Sequence, residues 1–126
     1  MRIVTPIVLL ICCALAACTG SSDRSEDERL VVANEMIDAW NTLEWDRMFN
    51  LFADDGVLHS VMIDPIVGKD VIRERLTPLV EGVERIELHV RNIGIVNDVV
   101  MFERVDDFVY KGKHSRVPVV GVMEIS

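Results

Sequence analysis

One short run concentrates the side chains suited to chemistry: Phe102-Glu103-Arg104-Val105-Asp106-Asp107-Phe108. On a strand, alternate residues share a face. Phe102, Arg104, Asp106 and Phe108 therefore line up together, and Glu103, Val105 and Asp107 line up on the other side. A guanidinium and a carboxylate two residues apart, flanked by phenyl rings, make an ion pair set in apolar surroundings, which needs a reason if it is internal. Burying an unpartnered charge is expensive, so pairing is the form in which these groups can lie inside. An ordinary solvated pair stays open as the alternative, because Glu103 and Asp107 make both faces polar.

Little else in the chain offers chemistry. His59, His89 and His114 are scattered without short metal spacing, and scattered histidines are commonly surface or core residues. Asp54-Asp55 and Asp106-Asp107 suggest a cation site, but a helix end and a strand account for them as well. There is no glycine-rich phosphate loop and no serine nucleophile motif. No metal and no cofactor are expected.

The cysteines, Cys12, Cys13 and Cys18, lie at the amino-terminal end, which leaves no thiol nucleophile, disulfide or cysteine metal site beyond it. Arg2 is followed by an uncharged stretch, Ile3 to Ala17, in which only Thr5 and Pro6 are not clearly apolar. A spanning helix needs about 20 apolar residues, so this stretch reads as a signal peptide over residues 1–17. Leu15-Ala16-Ala17-Cys18 is similar to a bacterial lipobox, which implies cleavage before Cys18 and a lipid on its thiol. Residues 18–24 then serve as a tether, and 25–126 form one domain. The expected place is the cell envelope, lipid-anchored, facing the periplasm or exterior.

The whole chain has 126 residues, Lys plus Arg 13 against Asp plus Glu 21, and a formal charge of −8. Such an acidic balance argues against nucleic acid as a partner, since phosphates need a basic face. Mean hydropathy is +0.28, and the signal segment carries the excess.

The elements that must position the Arg-x-Asp run follow from the hydrophobic period. Ser25-Glu26-Asp27-Glu28 reads as a capping box, with Ala33, Met36, Ile37 and Trp40 at helical spacing behind it. Asn41-Thr42 breaks that helix. Trp45, Met48, Phe49 and Phe52 mark a second short helix, ended by Asp54-Asp55-Gly56. These aromatics read as core. Val57 to Ile63 reads as a strand, Asp64-Pro65 as a turn, and Gly68-Lys69-Asp70 opens a helix from Val71 to about Val80, ended or kinked by Pro78. Ile86, Leu88 and Val90 then alternate with polar residues as a half-buried strand. Asn97-Asp98 is a turn, Val99 to Tyr110 a long strand, Lys111-Gly112-Lys113 a hairpin turn, and Val117 to Ile125 a last strand. The layout is α+β, with about three helices against a curved, mostly antiparallel sheet.

Several of these pieces resemble the limonene epoxide hydrolase family. They are Leu51-Phe52-Ala53-Asp54-Asp55, Gly68-Lys69-Asp70, Glu103-Arg104-Val105-Asp106, the Gly112-Lys113 turn and Gly121-Val122, in family order over most of residues 30 to 125. Arg-x-Asp is the specific piece; the others are shared with the wider cone-shaped nuclear-transport-factor-like and SnoaL-like superfamily. The resemblance implies a cone fold with an apolar pocket, closed by helices, around the Arg-x-Asp pair. It implies water addition to an epoxide without a covalent intermediate, with Asp106 as acid and Arg104 as bridge to a second Asp that deprotonates water. The family's water-holding Tyr and Asn positions fall on Leu58 and Ser60 here, and Phe102 and Phe108 would line the pocket. Ser60 can hold a water; Leu58 cannot.

The family's second Asp lies on a further strand, and this sequence stops at Ser126, before that strand would begin. Two carboxylates sharing a site keep one proton between them, which is how such a pair yields both acid and base. The expectation is therefore a truncated domain with poor epoxide hydrolysis, whose last strand is an apolar edge that pairs with another chain. The other reading is a non-catalytic lipoprotein that binds an apolar small molecule or a partner chain, a homodimer included. A ketosteroid isomerase-like shuttle with Asp106 as base is a third reading, but Tyr110, the only tyrosine, sits by the hairpin turn.

Overall fold

The computed structural model describes the backbone of residues 20–60 and 63–126, with side chains from Glu28 onward. The expected signal peptide and Cys18 lie outside the described residues. The elements run α1 (Gly20–Asn41), α2 (Trp45–Asn50), β1 (Val57–Leu58), β2 (Ile66–Val67), α3 (Lys69–Val80), β3 (Val83–Val96), β4 (Val99–Tyr110) and β5 (Lys113–Glu124). Strands β3, β4 and β5 form one antiparallel sheet in that order, and β1 and β2 form a small antiparallel pair. Helix α1 packs across β3 and touches β4, so the helices gather on one face of the sheet.

Helix α1 starts at Gly20, ahead of the Ser25–Glu28 capping box, and takes in residues read as a tether. The other end is sharper. Leu43 adopts a left-handed φ of 59°, and the Glu44 N–H returns to the Ala39 carbonyl at 2.9 Å, which satisfies an orphan acceptor of the last turn.

Two apolar clusters make the core. Ala39, Met48, Phe49, Ile72 and Val80 bury the interface of the three helices. Ile37, Ile86 and Leu88 bury α1 against the sheet, with Phe108 and Ile93 packed on them. Trp40 and Trp45 touch both clusters and meet edge to face, their ring centroids 5.2 Å apart.

Three expected elements change. The strand expected over Val57 to Ile63 is only Val57–Leu58, because its partner offers two residues, Ile66 and Val67, to pair with. Strand β3 runs from Val83 to Val96, beyond the alternating Ile86–Arg91 stretch on both sides. A bulge between Val90 and Asn92 shifts its phase, so Ile93 and Ile95 rejoin the inner face opposite Phe102 and Val100. Strand β5 starts at Lys113 rather than Val117. Lys111 (φ 47°) and Gly112 (φ 76°) make a two-residue turn that pairs Tyr110 with Lys113 at once. Pro78 lies inside α3 and does not end it; the helix runs on to Val80.

Candidate active site on the inner face of the sheet

The inner face of β4 carries Val100, Phe102, Arg104, Asp106 and Phe108 in alternation. Their cross-strand neighbours are Ile95, Ile93, Val90, Leu88 and Ile86 on β3, and Met123, Gly121, Val119, Val117 and Ser115 on β5. Every charged group on this central stretch is in one pair. Arg104 donates from Nε to Asp106 Oδ1 at 2.7 Å and from Nη2 to Oδ2 at 3.2 Å. The two side chains are 14% and 15% exposed, so the pair is part-buried. Side-on pairing of this kind satisfies both carboxylate oxygens and leaves the guanidinium with Nη1 free of Asp106.

The rings on either side have different tasks. Phe108 packs on the α1–sheet cluster at the Asp106 end. Phe102 is nearly buried, and the Arg104 guanidinium carbon lies over its ring, 4.9 Å from the centroid. Phenyl, guanidinium and carboxylate thus stack in order along one strand.

The other candidate residues are elsewhere. Leu58 packs against the interhelical cluster, and Ser60 is exposed just past β1. Among the described residues, neither is hydrogen-bonded to the pair, and no second carboxylate touches Arg104. His114 stands 2.8 Å from Asp107 on the outer face, and His89 faces Glu87 at 3.4 Å. Asp107 also takes Arg85 at 3.1 Å and Arg116 at 3.3 Å. Its carboxyl is held below the ordinary carboxylate range, first by the His114 hydrogen bond and then by Arg85. Among the described residues no His, Cys, Asp and Glu side chains cluster as a metal site.

Two open clefts lie away from the pair. One, of about 720 Å³, is bordered by Ile63, Pro65, Val67, Val71 and Arg75. The other, of about 650 Å³, runs between α2 and α3, where Arg73 covers the Phe49 ring and pairs with Asp46. Sequence reasoning missed this arrangement, because Arg73 and Phe49 come together only when α2 packs on α3. It named Gly121 but not its place opposite Phe102, which depends on the β4–β5 register.

A family model for the SnoaL-like domain matches residues 33–126. The chain belongs to the SnoaL-like domain family. Solved structures agree on the α+β cone fold. An LEH-like epoxide hydrolase from M. tuberculosis is 22% identical, with a TM-score of 0.71, over 81% of this chain and 76% of that one. An NTF2-like protein from Anabaena variabilis ATCC 29413 is 21% identical, with a TM-score of 0.68, over 79% and 81% of the two chains. A candidate polyketide cyclase from Xanthomonas campestris pv. campestris is 19% identical, with a TM-score of 0.68, over 80% and 83%. A sequence search of curated proteins finds no match. At these identities the SnoaL-like likeness establishes architecture, and the chemistry must be argued from the site.

Proposed function

We propose that this SnoaL-like domain adds water to an epoxide seated on the inner face of its sheet, with Arg104 and Asp106 as the polar centre. The observation that supports this is the part-buried, doubly hydrogen-bonded Arg104–Asp106 pair between Phe102 and Phe108. Similarity in fold to an LEH-like epoxide hydrolase is consistent with it.

Each Asp106 oxygen accepts one N–H from Arg104 and keeps a second lone pair that a water can reach. That arrangement suits Asp106 as acceptor of a water proton. The water oxygen attacks an epoxide carbon, the ring C–O bond breaks, and the electron pair goes to the epoxide oxygen. Arg104 Nη1 steadies that oxyanion, a proton from solvent completes the diol, and Asp106 gives the water proton back to solvent. The acid role implied for Asp106 by the family resemblance requires a second carboxylate beside it.

The test is hydrolysis of a terpene epoxide by the purified chain, with ¹⁸O-water to mark the diol. Asp106→Asn and Arg104→Met are expected to lower the rate by about 10²–10⁴-fold, the usual weight of a proton-transfer group. Diol formation unchanged in both variants, or none in the parent, overturns the reading.

A second reading is binding of an apolar small molecule without turnover. The single carboxylate on Arg104 among the described residues favours it. Saturable uptake of the epoxide with no diol, retained in Asp106→Asn, would select it. We further propose a lipid at Cys18, anchorage to the envelope membrane facing the periplasm or exterior, and association with a second copy. No described helix is long and apolar enough to cross a membrane. Loss of fatty-acid labelling in Cys18→Ser checks the anchor.

A further inference from the structure

We propose that Phe102 and Gly121 are positioning residues, which hold the Arg104 guanidinium in the side-on geometry that engages Asp106. The inference rests on Arg104 and Asp106 being the polar centre.

Gly121 lies in the interior of β5, a place where glycine weakens a strand. Its backbone does not call for glycine, because its φ is not positive. What calls for glycine is the neighbour on β4. A Cβ on Gly121 would run into the Cζ, Cε2 and Cε1 atoms of the Phe102 ring. Phe102 and Gly121 are register partners, so the ring tip fills the space that a side chain on β5 would occupy. The ring is thereby fixed, 7% exposed, with its face presented to the next residue along the same side.

That residue is Arg104, whose guanidinium carbon is 4.9 Å from the ring centroid. An arginine has many rotamers, and end-on and side-on pairing with a carboxylate are both open to it. Here the guanidinium carbon lies over the ring, and the Nε–Nη2 edge is taken by Asp106. The ring confines the group to a plane in which Nε, not Nη1, meets Oδ1. Gly121 acts through Phe102, and Phe102 through Arg104.

The test reads the Arg104 Nε–H directly in the full chain. Its ¹H–¹⁵N signal is identified by its loss in Arg104→Lys, and its hydrogen exchange is followed in Phe102→Leu, Gly121→Ala and the double variant. Leucine keeps apolar bulk and removes the ring. Exchange is expected to speed up about tenfold in Phe102→Leu and in Gly121→Ala, the scale of a lost cation–π contact with its ordering. The double variant should match Phe102→Leu, because Gly121 works only through the ring. If Gly121→Ala fails to fold, Phe102→Leu and the double variant, which has room for the new methyl, still decide. Exchange as slow as in the parent in a folded Phe102→Leu chain overturns the proposal, as does a double variant faster than Phe102→Leu. The readout needs no substrate. A chain that hydrolyses no epoxide but shows the exchange pattern removes the proposed activity and keeps this inference.

Discussion

Asn41, the last residue of α1, accepts a hydrogen bond from the Leu88 backbone N–H at 2.7 Å, 47 residues away on β3. The contact fastens the end of the long helix to the edge strand β3 at the core residue Leu88. Removing the acceptor leaves a partly buried N–H without a partner. Asn41→Ala is expected to lose about 1 kcal/mol, seen as a fall of several degrees in a thermal melt. Asn41→Asp, which keeps an acceptor oxygen, should lose less.

The Arg104–Asp106 pair is expected to contribute to function rather than to stability. Breaking it strands one charge in a poorly solvated place, whereas replacing both groups by apolar ones does not. Asp106→Leu should cost roughly 1–3 kcal/mol. Arg104→Met with Asp106→Leu should recover most of that loss. Urea denaturation of the two variants measures the difference, and neither should hydrolyse an epoxide.

Acid sensitivity should report the outer-face cluster. Asp107 has its carboxyl lowered in the folded chain, first by His114 and then by Arg85. A lowered carboxyl adds stability above its unfolded pKa, and the gain disappears as pH falls through the lower folded value. The groups facing it are Arg85 and Arg116, with Glu87 beside Arg85. In His114→Ala the largest cause is gone, so the acid-labile part of the stability should be smaller and should be exhausted at a higher pH. Stability measured from about pH 2 to 7 compares the two profiles.

The proposed association with a second copy has a face suited to it. Val120 is 74% exposed and Val122 56%, beside Met101 on the outer side of the sheet. Runs of exposed apolar residues on a sheet are pairing surfaces. Val120→Lys with Val122→Lys is expected to shift sedimentation toward a single chain while leaving the melt nearly unchanged.

Much of this was legible in the sequence, and the reason is locality. Alternation along a strand has a period of two residues, so Phe102, Arg104, Asp106 and Phe108 had to share a face wherever that strand went. The first helix end at Asn41 and the Lys111–Gly112 turn were likewise local matters of capping and left-handed backbone. The Arg-x-Asp spacing made an ion pair available without knowledge of any other element.

What only the tertiary structure decided is which face looks inward and what stands opposite. Both faces of β4 carry charge, and only the packing of α1 on β3 and β4 puts Arg104 and Asp106 on the covered side. The bulge at Val90–Asn92 returns Ile93 to that side against the simple alternation of its own strand. Phe102 meets Gly121 only because the Lys111–Gly112 turn holds two residues and no bulge interrupts the β4–β5 register over the whole hairpin. Pairings of that kind arise from the summed fit of two strands and a helix, and no single local pattern contains them.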